Sequence, residues 1–300
     1  PITITTIHSY LRYLRKFFLW ISKEAGYRSR INPSSVDYLR VSKKEERIAT
    51  QSVSKPYPSL EDVRKLTDSI EINSEINFRD RALIAFTLLS GMRAKAIVTL
   101  PLVCFDEDKL IVSQDPKEKV ATKFSKHITT VLFNFDNELL SYVIKWVKHL
   151  KEKSFGSKDP LFPRSKLEQE KDALSFKTAT EVEPVFWKGT AIIGKIFRKR
   201  AQDAGLHYYS PHTFRHLAVD LALKNCETGE QLKAISMNFG HEHVATTLSS
   251  YANFEPQRLS EILRNMDFSG KPSESPKELM EMIKKLLKKL EENEKDIKDT

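Results

Sequence analysis

Hydrophobic and polar residues recur with a helical period over most of the chain. The stretch 3–25 carries an apolar stripe along one helical face, with most basic residues off that face. The stripe consists of Ile7, Tyr10, Leu11, Leu14, Phe17, Phe18 and Ile21. Helical patterning returns in 59–70, 78–100 and 137–153, and continues with loops to about residue 266. The pattern therefore predicts a mainly helical fold.

One region changes to a strand-like pattern. Residues 103–133 contain the β-rich runs "KLIVSQ" and "HITTVLF", which flank the polar segment "DPKEKVATKFSK". This arrangement predicts a small antiparallel β-sheet, so the expected fold class is mainly α with a small sheet (α+β). The stretch 164–184 is polar and unpatterned, and it is predicted to be a loop.

Breaks in the pattern predict four segments. A helical segment covers residues 1–41, and the charged, aperiodic stretch 42–58 is predicted to be a linker. A larger domain covers 59–270. The tail, 271–300, has a short apolar seam that is too short for a long coiled coil, so we expect it to contact a partner. The seam residues are Leu279, Ile283, Leu286 and Leu290.

The charge of the chain is uneven. Its net charge is +9, and residues 1–57 hold 11 Lys/Arg against 4 Asp/Glu, whereas residues 58–270 hold 30 against 28. A basic segment of this kind suits a polyanion such as DNA. The two cysteines give neither a disulfide framework nor a zinc spacing, and no apolar run approaches the roughly 18 residues of a membrane span. We therefore expect a cytosolic protein without membrane contact.

The segment "YSPHTFRHLAVDLALK" (residues 209–224) predicts a helix with chemistry on one face. Ser210 suits the N-cap and Pro211 the first helical position. One face of this helix is apolar, through Phe214, Leu217, Ala218 and Leu221. The opposite face gathers the polar residues His212, Arg215 and His216. Two imidazoles and a guanidinium on one face indicate a functional site.

Three further segments hold residues that suit phosphate chemistry. Arg93 follows the helix-breaking Gly91 in "LLSGMRAKAI", where an emerging charge needs an anion or a structural ion pair. Lysines 117, 119 and 123 lie between the predicted strands, a position also typical of a solvated turn. The segment "FGHEHVATTLSSYANF" contributes Gly240, His241, His243 and Tyr251.

A zinc site built from the histidines is the alternative interpretation of these segments. It would use His212, His216, His241 and His243, since histidines four residues apart can share a metal. Neither pair has a supporting cysteine or glutamate at a familiar zinc spacing. We therefore predict no metal.

Taken in order, the elements Arg, Lys, His-x-x-Arg, Gly-His and Tyr resemble the signature of the tyrosine recombinases, the integrase family. The resemblance covers about residues 58–265, and residues 1–40 more loosely resemble the last helix of the family's DNA-clamping domain. By this resemblance 1–41 is part of that domain and 59–270 is the catalytic domain. The resemblance assigns the catalytic positions to Arg93, Lys117, His212, Arg215, His241 and Tyr251, with Lys119 and His243 as rivals.

Two departures from the family pattern bear on these assignments. Family members often have an acid three residues after the first arginine, and here that position is Ala96. The spacing from Gly-His to Tyr251 is one residue longer than expected. One extra helical residue would turn Tyr251 by about 100°, so the local backbone must absorb it.

The resemblance implies DNA strand cleavage without a metal or cofactor. Tyr251 would attack a phosphodiester to form a 3′-phosphotyrosine, with a 5′-hydroxyl leaving. Arg93 and Arg215 would bind the non-bridging oxygens, and His241 would hydrogen-bond a phosphate oxygen. His212 is the expected general base and Lys117 the expected general acid.

The resemblance also implies partners. These are double-stranded DNA carrying specific recombination sites, and further copies of the chain as a dimer on one site and a tetramer in synapsis. The setting would be a mobile element or chromosome in a bacterial-type cytoplasm. Candidate DNA-binding residues are Arg12, Arg15, Lys16, Lys43 and Lys44. Two alternatives are a type IB topoisomerase-like DNA-relaxing enzyme and a non-catalytic DNA-binding regulator with the same fold.

Overall fold

The structure is a computed structural model that describes residues 2–50, 56–169, 176–241 and 244–251. Residue contacts divide the chain into two compact units, residues 1–54 and residues 55–300. The described residues are mainly helical with two small antiparallel sheets, which confirms the predicted fold class.

Three helices form the first unit. They are α1 (Ile4–Ile21), α2 (Pro33–Val36) and α3 (Lys43–Thr50). The side chain of Thr3 accepts a hydrogen bond from the amide of Thr6 and so begins α1. Asp37, just after α2, accepts hydrogen bonds from Arg15 on α1 at 2.7 Å and from Arg40 at 2.8 Å. Arg15, a candidate DNA contact, is therefore held in an ion pair that joins α1 to the segment after α2.

The apolar stripe of α1 is only partly covered. No residue of α1 is buried, and the side chains of Tyr10, Leu14 and Phe17 remain 61%, 45% and 48% exposed. The helical period of this segment is as predicted, although the helix ends at Ile21 instead of continuing to residue 25.

Helix α3 lies inside the stretch predicted to be an aperiodic linker, 42–58. Ser42 precedes it, and the amide and hydroxyl of Ser42 donate to the Glu45 carboxylate at 2.9 and 2.7 Å. The amide of Glu45 donates back to the Ser42 hydroxyl at 3.2 Å. This capping box stabilises a short helix that has no long apolar stripe. Hydrophobic periodicity therefore did not predict α3.

The second unit contains the remaining described α-helices. They are α4 (Leu60–Asp68), α5 (Glu75–Ser90), α6 (Ala94–Ile97), α7 (Asn137–Glu152), α8 (Ala191–Asp203), α9 (Pro211–Lys224), α10 (Gly229–Asn238) and α11 (Val244–Tyr251). Ser59 and Asp62 form a capping box at the start of α4, and Ser74 caps α5 by accepting from the amide of Asn77. Helix α5 is buried along most of its length and packs against α4, α7 and α9. It is therefore the central element of the core.

The predicted small sheet is present in the second unit. Its strands are β1 (Phe105–Asp106), β2 (Ile111–Gln114) and β3 (Ile128–Val131), antiparallel in that order. Val112 on β2 pairs with Thr130 on β3, and both are fully buried. The segment between β2 and β3 carries the candidate lysines.

A second hairpin replaces the loop predicted for residues 164–184. Strands β4 (Arg164–Gln169) and β5 (Phe176–Glu183) pair antiparallel. Charged partners face each other across it, since Arg164 donates to Glu183 at 2.5 Å. The amide of the buried Val182 donates to the Glu75 carboxylate at 3.0 Å and anchors the hairpin to α5. The loop prediction was wrong because ion pairs, with no alternation of apolar residues, accompany this pairing.

Helix α9 has the predicted bounds, but the polar residues opposite its apolar arc differ in exposure. Ser210 occupies the N-cap without a side-chain capping bond, and Pro211 is the first helical residue. The predicted apolar arc faces the core, where Phe214, Leu217 and Ala218 are buried. His212 is exposed, but Arg215 is only 2% exposed. Arg215, predicted opposite the apolar arc, is therefore also enclosed by the protein.

The predicted tail, 271–300, and the helical pattern predicted from 252 to about 266 lie outside the described residues. Within the described ranges, every helix is too short or too polar to span a bilayer.

A buried ion network fixes the core helices to one another. The Asp80 carboxylate accepts from Arg79 at 3.0 and 2.7 Å and from Arg200 at 2.9 and 2.7 Å. Arg79 also donates to the carbonyl of Pro163 at 3.1 Å. All three charged side chains are buried, with 3%, 3% and 8% exposure for Arg79, Asp80 and Arg200. One carboxylate thus joins α5, α8 and the segment before β4.

We expect Asp80→Asn to lower the free energy of unfolding by about 3 kcal/mol, because it leaves the buried Arg79 without its carboxylate partner and Arg200 with only the 3.8 Å ion pair to Asp203. Urea unfolding followed by circular dichroism measures this change. Lys199→Ala is the matched control, since Lys199 pairs with Asp203 on the surface of the same α8. Its effect should stay within about 0.5 kcal/mol. Equal unfolding midpoints for Asp80→Asn and the wild type would contradict the assignment.

Candidate active site

Arg215 is the centre of the candidate site. Its Nη1 donates to the carbonyl of Gly91 at 2.7 Å. Its Nη2 donates to the carbonyl of Phe239 at 2.7 Å and to Nε2 of His241 at 2.9 Å. One guanidinium group from α9 therefore joins the end of α5 to the segment after α10.

Gly91 is required at the end of α5 for two reasons. Its backbone is left-handed, with φ of 56°, and it terminates the helix as predicted. A Cβ atom at this position would overlap the ring of Phe239. The turn leaves the Gly91 carbonyl as an acceptor for Arg215. A residue with a side chain would displace the ring and disturb that hydrogen bond.

Phe239 forms an aromatic support beneath the two functional side chains. Its ring is 2% exposed and stacks on Phe133, with centroids 5.3 Å apart. The guanidinium carbon of Arg215 lies 5.1 Å from the ring centroid, and the ring of His241 stacks at 6.2 Å. Arg215 and His241 therefore share a rigid apolar base.

The end of α10 is docked against strand β3. The Asn238 side chain accepts from the amide of Val131 at 2.6 Å and donates to its carbonyl at 3.0 Å. Gly240, with φ of 64°, allows a close approach, because a Cβ there would lie 2.5 Å from Cδ1 of Ile128. This docking places the start of β3 beside His241.

The pKa of His241 reports the electrostatics of the site. Burial, followed by the positive charges of Arg215, Arg93 and Lys123, lowers the pKa of His241 to about 4. Its imidazole is therefore neutral near pH 7. The charges of Arg93 and Lys123 thus act on the same imidazole as that of Arg215.

Arg93 lies just after the end of α5, in the segment where the sequence predicts a residue that binds an anion or forms an ion pair. It is the N-cap residue of α6, two positions after Gly91, and is half-buried. Ala96, at the position where an acid was expected, is 2% exposed and belongs to the core. In the described part of the chain, Arg93 has no salt-bridge partner. Its charge is consequently available to an external anion.

Of the three candidate lysines, Lys117 and Lys119 lie on the β2 side of the β2–β3 connection, and Lys123 lies on the β3 side. Lys117 belongs to a 3₁₀ turn that Lys119 ends, and the nearby amide of Ala121 donates to the Thr99 hydroxyl at 2.9 Å. That contact holds the Lys117 end of the connection at the end of α6. Lys123 lies on the β3 side and is the lysine whose charge lowers the pKa of His241. The family resemblance assigns the catalytic position to Lys117, with Lys119 as its rival.

The remaining predicted residues are placed only in part. The rings of His212 and His216 meet edge to face, with centroids 4.9 Å apart. Tyr251 is the last residue of α11, and its side chain lies outside the described residues, as does His243. Among the described residues, no three metal-binding side chains group closely enough to hold an ion.

The arrangement has the character of an anion site. Arg93, Arg215 and Lys123 direct positive charge to one neutral imidazole, and these groups suit the oxygens of a phosphate.

Comparison with known proteins gives a family and a fold. The family model described as "Phage integrase family" matches residues 59–258. Among curated proteins, no sequence matches this chain significantly. Solved structures of two recombinases and an integrase are among those that share the fold at low sequence identity.

The first of these structures is a XerA recombinase, with 17% identity, a TM-score of 0.52, and coverage of 89% of this chain and 85% of that chain. The second is a XerH site-specific recombinase bound to palindromic difH substrate, with 19% identity, a TM-score of 0.55, and coverage of 88% and 68%. The third is the Tn1549 transposon integrase in complex with transposon right end DNA, with 14% identity, a TM-score of 0.52, and coverage of 88% and 79%.

The lowered pKa of His241 predicts a pH dependence of stability. Between its ordinary value of 6.5 and about 4, the unfolded chain binds a proton at His241 that the folded protein does not. The free energy of unfolding should therefore fall as the pH is lowered through this window. Urea unfolding at several pH values gives the free energy of unfolding as a function of pH. This free energy should change less with pH for His241→Asn than for the wild type. Coincident slopes would show that this imidazole is not held neutral by the fold.

Proposed function

This chain belongs to the phage integrase family, the tyrosine site-specific recombinases, and we propose that it cleaves and rejoins DNA through a covalent 3′-phosphotyrosine intermediate. The hydrogen bond from Arg215 to His241, at an imidazole that also feels the charge of Arg93, carries this proposal. The charges of two guanidinium groups act on this imidazole, and among the described residues no carboxylate forms a salt bridge with Arg93. A DNA phosphodiester is the substrate that would complete the charge balance.

The two arginines have the chemistry that a phosphoryl-transfer transition state requires. Negative charge concentrates on the two non-bridging oxygens when the phosphorus becomes five-coordinate. A guanidinium remains protonated at any working pH and can bind such oxygens bidentately. Arg215 is already held in place by the carbonyls of Gly91 and Phe239, so little reorganisation is needed when DNA binds. No metal is required as a charge clamp in this proposal.

Tyr251 is the proposed nucleophile and His212 its proposed general base. A phenol has an ordinary pKa of about 10, so loss of its proton requires a base. His212 is exposed at the start of α9, where it can reach a bound substrate. Attack would form the tyrosine–phosphorus bond and break the bond to the 5′-oxygen. The retained ester allows a second strand's 5′-hydroxyl to reverse the step without an energy source.

We assign the general acid to Lys123 in place of Lys117. The departing 5′-oxygen needs a proton, and a lysine ammonium can supply it. Lys123 is exposed on the β3 side of the connection, and β3 docks through Ile128 against Gly240 beside His241. Lys117 lies on the turn anchored toward Thr99. Proximity to His241 thus favours Lys123.

The first unit is proposed to grip the DNA backbone. Arg12, Lys16, Lys43 and Lys44 are exposed on its helices and can neutralise phosphates. Arg15 contributes less to this surface because Asp37 already pairs with it. The salt dependence of DNA binding measures how many phosphates this unit contacts.

By the family resemblance, the protein works on paired recombination sites of a mobile element or chromosome. We propose a dimer on each site and a tetramer in synapsis, with residues 271–300 as a partner contact. Light scattering of the protein with and without DNA carrying one site tests this assembly, since a monomer on DNA would contradict it.

We expect Tyr251→Phe to abolish covalent trapping and leave DNA binding unchanged. The substrate is a pool of nicked duplexes of random sequence, whose cleaved strands escape and prevent rejoining. Covalent complexes are recovered on denaturing gels, and sequencing them identifies a site for later assays. A label upstream of the cleavage position should remain with the protein, and the released strand should carry a 5′-hydroxyl.

Tyr208→Phe is the control for this experiment, since Tyr208 is stacked against Arg198 outside the proposed chemistry. It should trap DNA as the wild type does. Trapping by Tyr251→Phe would remove the nucleophile assignment, and site-independent plasmid relaxation by the wild type would favour the topoisomerase-like alternative.

We expect Lys123→Ala to slow cleavage by about 100-fold, the contribution typical of a general acid. A substrate with sulfur in place of the 5′-bridging oxygen should restore the rate, because a thiol leaving group, with a pKa of about 8.5, needs no proton. Lys117→Ala is the matched control from the same connection, and its rate should match that of the wild type on both substrates. The reverse pattern would return the assignment to Lys117.

A further inference from the structure

Thr247 makes a hydrogen bond that the proposed chemistry has not used. Its side chain is fully buried on α11, and its hydroxyl oxygen lies 2.8 Å from Nδ1 of His241. The adjacent Thr246 is exposed on the same helix. The buried helical threonines Thr67 and Thr87 donate to carbonyls of their own helices, those of Val63 and Leu83. Thr247 instead meets a side chain from outside its helix.

The partners of His241 determine which ring nitrogen carries the proton. The Arg215 guanidinium has only donors, so Nε2, at 2.9 Å from Arg215 Nη2, must accept. A neutral imidazole then carries its proton on Nδ1. That N–H donates to the oxygen of Thr247. Arg215 and Thr247 together specify one tautomer.

We propose that Thr247 is a positioning residue for strand cleavage, which holds His241 as the Nδ1-protonated tautomer so that Nε2 accepts from Arg215 and keeps that guanidinium in place. This inference rests on the proposed function of the site. Thr247 acts through His241 and does not touch the reacting atoms. Without its hydroxyl, the ring could rotate or change tautomer, and Nε2 would lose its fixed direction.

The same hydrogen bond connects His241 to the helix that ends at the proposed nucleophile. Position 251 is four residues after Thr247, or about one helical turn further along α11. His241 is fixed by Arg215 and by the end of α10. A bond from this ring to Thr247 therefore constrains the placement of α11. This constraint suits a chain whose spacing from Gly-His to tyrosine is one residue longer than the family pattern.

Three variants separate the hydroxyl from the bulk of the side chain. Thr247→Val keeps the volume and removes the hydroxyl, and Thr247→Ser keeps the hydroxyl. Thr246→Val makes the same exchange at the neighbouring exposed position. Cleavage is measured on the nicked DNA recovered with the wild type, DNA affinity by mobility shift, and the tautomer from the ¹⁵N shifts of the His241 imidazole.

We expect Thr247→Val to cleave on the order of tenfold more slowly, as for loss of an outer hydrogen-bond partner of a functional histidine. DNA affinity should be unchanged, and the ¹⁵N spectrum should lose its single Nδ1-protonated pattern. Thr247→Ser and Thr246→Val should behave as the wild type in all three measurements.

Two results would overturn the inference. An Nε2-protonated His241 in the wild type contradicts it without any variant, even if Thr247→Val fails to fold. Equal defects in Thr247→Ser and Thr247→Val would show that packing, and not the hydroxyl, is responsible. The spectrum does not depend on cleavage, so failure of the proposed reaction is distinguished from failure of this tautomer assignment.

Discussion

A buried guanidinium must find hydrogen-bond acceptors inside the protein, and the candidate site depends on how Arg215 meets this requirement. Its acceptors are the carbonyls of Gly91 and Phe239, which are exposed only because two helices end there. Gly91 must allow both a left-handed turn and the approach of the Phe239 ring. The Arg215 side chain therefore fixes the ends of α5 and α10 relative to α9. Arg93 and His241 come shortly after these two helix ends in the sequence, so their positions are fixed as well.

The positive charges around His241 repel one another, and a protonated imidazole among them would add to this repulsion. His241 instead stays neutral near pH 7, because burial and the neighbouring cations lower its pKa to about 4. Its Nε2 can then accept a hydrogen bond from Arg215. Two backbone carbonyls and this imidazole accept hydrogen bonds from the guanidinium, and none of these three acceptors carries a negative charge.

Periodicity and capping predicted the elements that frame the site, but not the contacts that complete it. The break at Gly91 and the helix beginning at Pro211 were predictable, because local backbone preferences determine both. Arg215 was predicted opposite the apolar arc, but its burial was not, since a helical wheel cannot show that two other helix ends supply acceptors there. Lys123 was named among the candidate lysines without a reason to prefer it, because docking of Ile128 against Gly240 is a contact between distant segments.

Buried and exposed residues have different roles in the proposed reaction. Arg215 is 2% exposed and Thr247 fully buried, and groups held in this way act with little reorganisation and little dielectric screening. His212 and Lys123, the proposed proton carriers, are exposed at the start of α9 and before β3. A proton carrier must meet substrate atoms and exchange its proton with solvent, so exposure suits it. The fold thus places Arg215 inside and the proposed proton carriers at exposed positions, and His241 joins Arg215 to the buried Thr247.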